Sequence, residues 1–329
     1  MSVCPKIDKS VLPCRHYLRA ERDGEAGHCK LPIYFRCVEA MTKKAPSLSH
    51  SAVNQYIRCK RAYYFSYIKG IQVYDVMKPG PMKIGAIWDS FQNSAYGGKP
   101  LNIDEEIKKY YGNDSHNFDV PKIKALISAF KDLEITTDLS SKTQSKSFFH
   151  AGNHVVSFVL DREYKDHFVE TKCTSTQNVT DFFFSIHYLS QVATYFLANN
   201  KFKHAIMEVV KLPQLRSSGQ YSKETPDEYG KRCYSDIVSR PSNYFQGYNK
   251  KTKTFGKKFM REEFNLKQLY DKYKTIGDEI IWRMSRGNDL AWYKEESSCL
   301  FPGKCLFYEI CHTEGFPTNI YYIKEVPNE

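Results

Sequence analysis

Residues 154–195 read HVVSFVLDREYKDHFVETKCTSTQNVTDFFFSIHYLSQVATY, and the fold turns on this stretch. His154 to Leu160 is apolar and β-branched, which predicts a strand ending at Asp161. The polar run Arg162 to Asp166 predicts a turn. A second short strand, His167 to Val169, then delivers Glu170, Thr171 and Lys172. Strand side chains alternate faces, so Glu170 and Lys172 share one and Thr171 takes the other. Pairing the two strands as a hairpin would set Asp161 beside them. A helix is predicted over Asp181 to Asn199, with Leu189, Val192 and Phe196 as its apolar stripe and Gln191 one turn before Tyr195. Ala205 to Leu212 reads as a further strand.

Two carboxylates and an ammonium at strand ends suit phosphodiester hydrolysis. Acidic oxygens hold Mg²⁺ or Mn²⁺, hard ions that keep part of their water shell. The ion activates water and polarises phosphate, while a lysine stabilises developing charge. The tripeptide alone says little, because Glu106-Ile-Lys108 and Glu163-Tyr-Lys165 repeat it. Only Glu170-Thr-Lys172 ends an apolar run that follows another run closed by aspartate.

The order strand, strand, helix, strand with these residues resembles the PD-(D/E)XK nucleases, in particular the RecB-type branch. That pattern has Asp at a strand end, (Asp/Glu)-x-Lys on the next strand and Gln-x-x-x-Tyr on the following helix. Asp161, Glu170, Lys172, Gln191 and Tyr195 match it in order. The resemblance implies an α/β, restriction-endonuclease-like core, a mixed sheet flanked by helices, with a helical N-terminal segment and Cys-rich ends. It implies a metal-dependent deoxyribonuclease, an exonuclease or end-processing enzyme on single-stranded DNA or duplex ends, working beside a helicase or recombination protein. Asp161 and Glu170 would bind Mg²⁺ or Mn²⁺. Gly85 followed by Asp89 falls where the family commonly has Gly and a metal-binding His, so Asp89 would be a third carboxylate. The alternative for Asp89 is a first-turn acid favoured by the helix dipole. A different class of function also fits, a non-catalytic nucleic-acid-binding or assembly module on a nuclease-like fold; metal-aided cleavage of RNA is a third reading.

Further segments are placed around this core. Leu48 to Ile71 predicts a Ser-capped helix running through Cys59, Lys60 and Arg61 to Gly70, again as in the RecB-type pattern. Cys299, Cys305 and Cys311 follow at C-x5-C-x5-C. With Cys59 they resemble the iron–sulfur staple of AddAB-type and CRISPR-adaptation nucleases, which implies a [4Fe–4S] cluster tying the chain's ends. Four thiolates also suit zinc. Cys4, Cys14, Cys29 and Cys37 lie near His16 and His28 and could close a separate Zn²⁺ site, the alternative being small buried hydrophobes. Cys173 and Cys233 are left over as structural thiols.

The chain therefore divides into a Cys-rich segment 1–45, a helical segment 46–147, the core 148–212 and a basic C-terminal region 213–329. Leu139 to Ser147 reads as a flexible lead into the core, and Leu215 to Cys233 as a loop. In that last region Lys251, Lys253, Lys257 and Lys258 alternate with Tyr244, Phe245, Tyr248 and Phe255. Lysines can track phosphates while rings stack on bases; a solvated hairpin with buried rings is the alternative. A helix is predicted over 265–286 with a stripe of Leu266, Leu269, Tyr273, Ile276 and Ile280.

A net charge of +11 fits an anionic partner such as DNA. No leader-like or membrane-length apolar run is visible, so the expectation is a cytoplasmic protein with no membrane partner and reduced thiols.

Overall fold

The computed structural model describes residues 47–112, 118–135, 141–175, 183, 186–216, 223–287, 289–300, 304–313 and 316–324. Cys4, Cys14, Cys29 and Cys37, with the zinc site expected of them, lie outside the described residues. Compact packing separates a larger unit, Pro46–Gly277 with Tyr293–Glu329, from a smaller one to which Asp278–Trp292 belongs. In the smaller unit Arg283 grips Glu279 through Nε (3.1 Å) and Nη2 (2.7 Å).

Helices open the larger unit. Ser49 caps α1 (His50–Arg58) by accepting from the Ala52 N–H at 3.1 Å, an N-terminal bond that the serine supplies in place of a missing helical carbonyl. The chain extends at Cys59 and coils again as α2 (Lys60–Tyr63), which tightens into a π turn over Tyr64–Ile68. A short strand β1 (Ile71–Val73) leads to α3 (Gly80–Gly97), α4 (Ile103–Tyr111) and α5 (Asp119–Asp132).

A five-stranded sheet follows, formed by β2 (Lys142–Ala151), β3 (His154–Glu163), β4 (His167–Thr174), β5 (His204–Lys211) and β6 (Lys257–Met260), in that spatial order. The β4–β5 pair is parallel, joined through α6 (Ile186–Ala198); its neighbours run antiparallel. Helices cover both faces. On one, Trp88, Phe91, Phe130, Val210 and Phe245 pack with Tyr229 and Cys233 of α7 (Pro226–Ser239). On the other, Phe158, Leu160, Phe168, Met207 and Val209 meet Val192 and Phe196 of α6. The mixed sheet flanked by helices is as expected.

Three local expectations change. Strand β2 occupies the stretch read as a flexible lead, because its inward side chains at 143, 145 and 147 are small hydroxyls that leave no apolar alternation to see. Strand β3 runs past Asp161 to Glu163. Helix α7 occupies much of the expected loop, nucleated by a reciprocal capping box between Thr225 and Glu228. After α8 (Leu266–Ser285), whose Leu269, Tyr273, Ile276 and Ile280 are buried as expected, the chain reaches α9 (Tyr308–His312) and β7 (Tyr321–Ile323). Strand β7 pairs antiparallel with β1, Ile71 opposite Ile323, so the C-terminal segment returns to the N-terminal helices. Among the described residues no helix is long and apolar enough to cross a membrane.

Gly277 of α8 gives the packing a sharp test. A Cβ there would stand 2.4–2.7 Å from three ring atoms of His154, itself only 2 % exposed. Alanine in a helix interior normally gains about 0.5–1 kcal/mol over glycine. Here Gly277→Ala is expected to destabilise by about 1–3 kcal/mol, the usual range for overpacking, read as a lower urea midpoint with an unchanged m-value.

Candidate active site

Strands β3 and β4 are in register at Arg162↔Val169 and Glu163↔Phe168. One residue further the ladder stops, and the Thr171 N–H donates instead to the Asp161 carboxylate at 2.9 Å. Strand β3 also changes the face it presents there. Phe158 and Leu160 sit in the α6 cluster, whereas Arg162 reaches the opposite layer, where it pairs with Glu208, donates to Thr171 Oγ1 at 3.1 Å and lies 3.8 Å over the Tyr96 ring. Across from this switch, between the pairs Thr143↔Arg162 and Ser145↔Leu160, Gln144 takes φ +50°. The twist frees the ends of two strands and sets Asp161 next to Glu170.

Glu170 is 1 % exposed. Its Oε1 takes a short ion-paired contact from Lys172 and a hydrogen bond from Gln191 Nε2 at 2.7 Å. Gln191 Nε2 also lies 2.6 Å from the Tyr195 hydroxyl, which itself bonds to Glu170. The other oxygen, Oε2, is buried with no hydrogen-bond partner among the described residues. Burial, with the neighbouring Asp161 charge, pushes the Glu170 carboxyl up to about 7 against the pull of Lys172. Burial chiefly, with Glu170 and Asp161, holds the Tyr195 hydroxyl well above its ordinary value. On α3, Asp89 is raised to about 6 by burial and by Asp161, with Lys172 opposing. Its side chain accepts from Asn93 Nδ2 at 3.4 Å, and Asn93 Oδ1 accepts from Gln144 Nε2 at 2.9 Å. The structure thus brings Asp89, Asp161, Glu170, Lys172, Gln191 and Tyr195 into one neighbourhood from α3, β3, β4 and α6.

Asp161 raises the pKa of both Asp89 and Glu170, and a cation beside them would favour ionisation of those two carboxyls. The unpartnered Oε2 of Glu170 fits that need, since a buried carboxylate oxygen without a donor is costly. Among the described residues, no three His, Cys, Asp or Glu side chains are already disposed to hold a metal ion. Lys172 and Gln191 engage Glu170 instead.

The cysteines form a second centre. Cys59 is the extended residue (φ −160°, ψ 113°) between α1 and α2, and it is buried along with Cys299. Arg58 and Ser298 bond reciprocally, Ser298 Oγ donating to the Arg58 carbonyl at 2.9 Å and Arg58 Nη2 to the Ser298 carbonyl at 3.3 Å. The Cys305 N–H donates to the Cys299 carbonyl at 2.8 Å, and α9 carries Cys311. Burial raises the Cys305 and Cys311 thiols, and charge on Cys59 and Cys299 raises them further. The four thiols thus stand near one another, although among the described residues they are not disposed to hold a metal ion. Cys173 and Cys233 stand apart, pushed by burial up to about 12 and about 11.

The basic hairpin segment turns out differently. Tyr244, Phe245 and Phe255 are core residues and Tyr248 packs, partly buried, against the same cluster, which favours the buried-ring alternative. Lys253 pairs with Glu134 at 3.6 Å, Lys257 lies over the Phe183 and Phe259 rings, and Lys251 and Lys258 are exposed.

Sequence reasoning missed Asn93 and Gln144, which support Asp89, and the buried Arg162–Glu208 pair behind the site. An acid inside the apolar run AIMEVV was the available signal for Glu208. The chain matches no known family model and no curated protein.

Lys172→Met gives a direct check on the electrostatics. Removing the ammonium that opposes burial should move the Glu170 carboxyl above its value of about 7. Carbon-detected NMR titration of labelled glutamates, without added metal, should show that upward move; an unchanged titration would mean that the ion pair does not form.

Proposed function

We propose that this chain is a metal-dependent nuclease acting on DNA, built on a RecB-like core of the PD-(D/E)XK type. The observation that carries the reading is the buried Glu170 carboxylate, with one oxygen held by Lys172 and Gln191 and the other unpartnered beside Asp161. Asp161 and Glu170 would hold Mg²⁺ or Mn²⁺, with Asp89 as a third oxygen donor. When bound, the ion would activate water and offset charge on the phosphate. Gln191 and Tyr195 fix the orientation of the Glu170 carboxylate from α6. Lys172 stands where it can orient water and stabilise the charge that builds on the phosphate oxygens. Asn93 and Gln144 steady Asp89 from the other side. Action on DNA ends belongs to the same proposal, as does a [4Fe–4S] cluster on Cys59, Cys299, Cys305 and Cys311; the cluster is supported by the return of the C-terminal segment to α1 and β1.

The chemistry is tested with end-labelled single- and double-stranded DNA and RNA in Mg²⁺ or Mn²⁺. Glu170→Gln and Lys172→Ala should each lower cleavage by about a hundredfold or more, as expected for loss of one transition-state contact. Cleavage near wild-type rates by both variants would overturn the site assignment. Binding without cleavage by the wild type would support an assembly module instead.

The cysteine centre has its own readout. Protein purified without oxygen should be brown and contain iron and labile sulfide, and serine at any of the four positions should bleach it and lower its melting temperature. A colourless zinc protein would replace the cluster by a zinc staple.

A further inference from the structure

Among the described residues the outward face of the β2–β3 hairpin, which begins at the candidate active site, is largely exposed, with the Ser47 hydroxyl meeting that of Ser157 at 2.8 Å. Its β2 row is Lys142, Gln144, Lys146, Phe148 and His150, all exposed, and Phe148 reaches 60 %. The Phe148 and His150 rings meet edge to face at 5.8 Å. Opposite them the register places Val159 against Lys146, Ser157 against Phe148 and Val155 against His150. Val155 and Val159 are 37 % and 38 % exposed. No acidic residue occurs from Lys142 to His150 or from Val155 to Leu160. At the near end Gln144 bonds Asn93, which bonds Asp89, so the row starts where the three acids gather. At the far end the Gly152 N–H donates to the Tyr270 hydroxyl at 3.0 Å, which holds the hairpin's turn in place.

We infer that this face is a track for single-stranded nucleic acid, with an unpaired base stacked on Phe148, whose ring His150 meets edge to face, and the backbone following Lys146 and Lys142 towards Asp161 and Glu170. The inference rests on the nuclease reading for the direction of the strand, and on the hairpin itself for the contact. A projecting ring on an exposed sheet face can stack on a base only if that base is unpaired, since duplex bases already cover one another's faces. The lysines complement phosphate. Phe148 is four residue steps along the strand from Gln144, about 14 Å at the usual rise. The stacked base therefore lies a few nucleotides from the cleaved bond.

The test measures binding of a labelled oligothymidine in EDTA, where cleavage does not interfere, to the full chain. Phe148→Ala should weaken binding about tenfold, within the range measured for loss of one stacked base, and Phe148→Trp should restore it. Lys146→Ala should flatten the salt dependence by about 0.7 in slope, as for one single-strand phosphate contact. Both variants should keep the wild-type melting temperature, and binding of a blunt duplex should not respond to Phe148. Wild-type binding of oligothymidine by Phe148→Ala and Lys146→Ala would overturn the track. Equal losses on duplex would overturn its single-strand character, and a change confined to self-association would assign the face to a protein strand. The two proposals fail separately. Glu170→Gln that loses cleavage beside a Phe148→Ala that binds normally removes the track alone, whereas Glu170→Gln that still cleaves beside a weakened Phe148→Ala removes the catalytic assignment alone.

Discussion

A carboxylate buried with its neighbour's charge close by is the interaction on which the rest of this structure turns. Removing Glu170 from water opposes its ionisation, Asp161 opposes it again, and only Lys172 and the donors on α6 act the other way. For that group to exist, two strands must stop pairing at the right residue. Strands β3 and β4 do so after two pairs of residues, and the Thr171 N–H thus released is taken by Asp161 itself. The parallel β4–β5 ladder, complete from His167↔His204 to Thr174↔Lys211, gives β4 the support that β3 withdraws.

Behind the site, the Arg162–Glu208 pair performs a different task. It is buried, shared with Thr171 and roofed by the Tyr96 ring, so it anchors β3, β4, β5 and α3 to one another. Ion pairs in such places add little net stability over apolar residues of the same shape, but breaking one partner away is costly, about 3–5 kcal/mol. What the pair supplies is register. With Arg162 fixed on one face, Asp161 has little freedom in where it points.

How much of this could be read from the chain depended on how strongly each segment announces its burial. His154 to Leu160 and Ala205 to Leu212 are apolar enough to declare themselves as strands, and the α8 stripe shows its period plainly. Strand β2 was hidden because Thr143, Ser145 and Ser147 fill its inner face, and hydroxyls carry no apolar signal. Helix α7 had a legible start in Thr225 and Glu228 but a polar surface that resembles a loop. The aromatic residues of the basic segment looked available because sequence cannot tell which rings find a core; Phe245 and Phe255 pack against each other at 5.4 Å. The site residues were visible by position at strand ends, whereas Asn93 and Gln144 depend on a left-handed backbone twist that nothing local dictates.

The pairing of β1 with β7 joins residues about 250 positions apart, a separation at which closing the intervening loop is slow and entropically opposed. The β2–β3 hairpin and the β4–α6–β5 crossover join near neighbours and can assemble first. The carboxylates are then in place before the chain's tail emerges and folds back to Cys59. The topology thus separates the near-neighbour pairings that set the carboxylates from the distant pairing of β1 with β7.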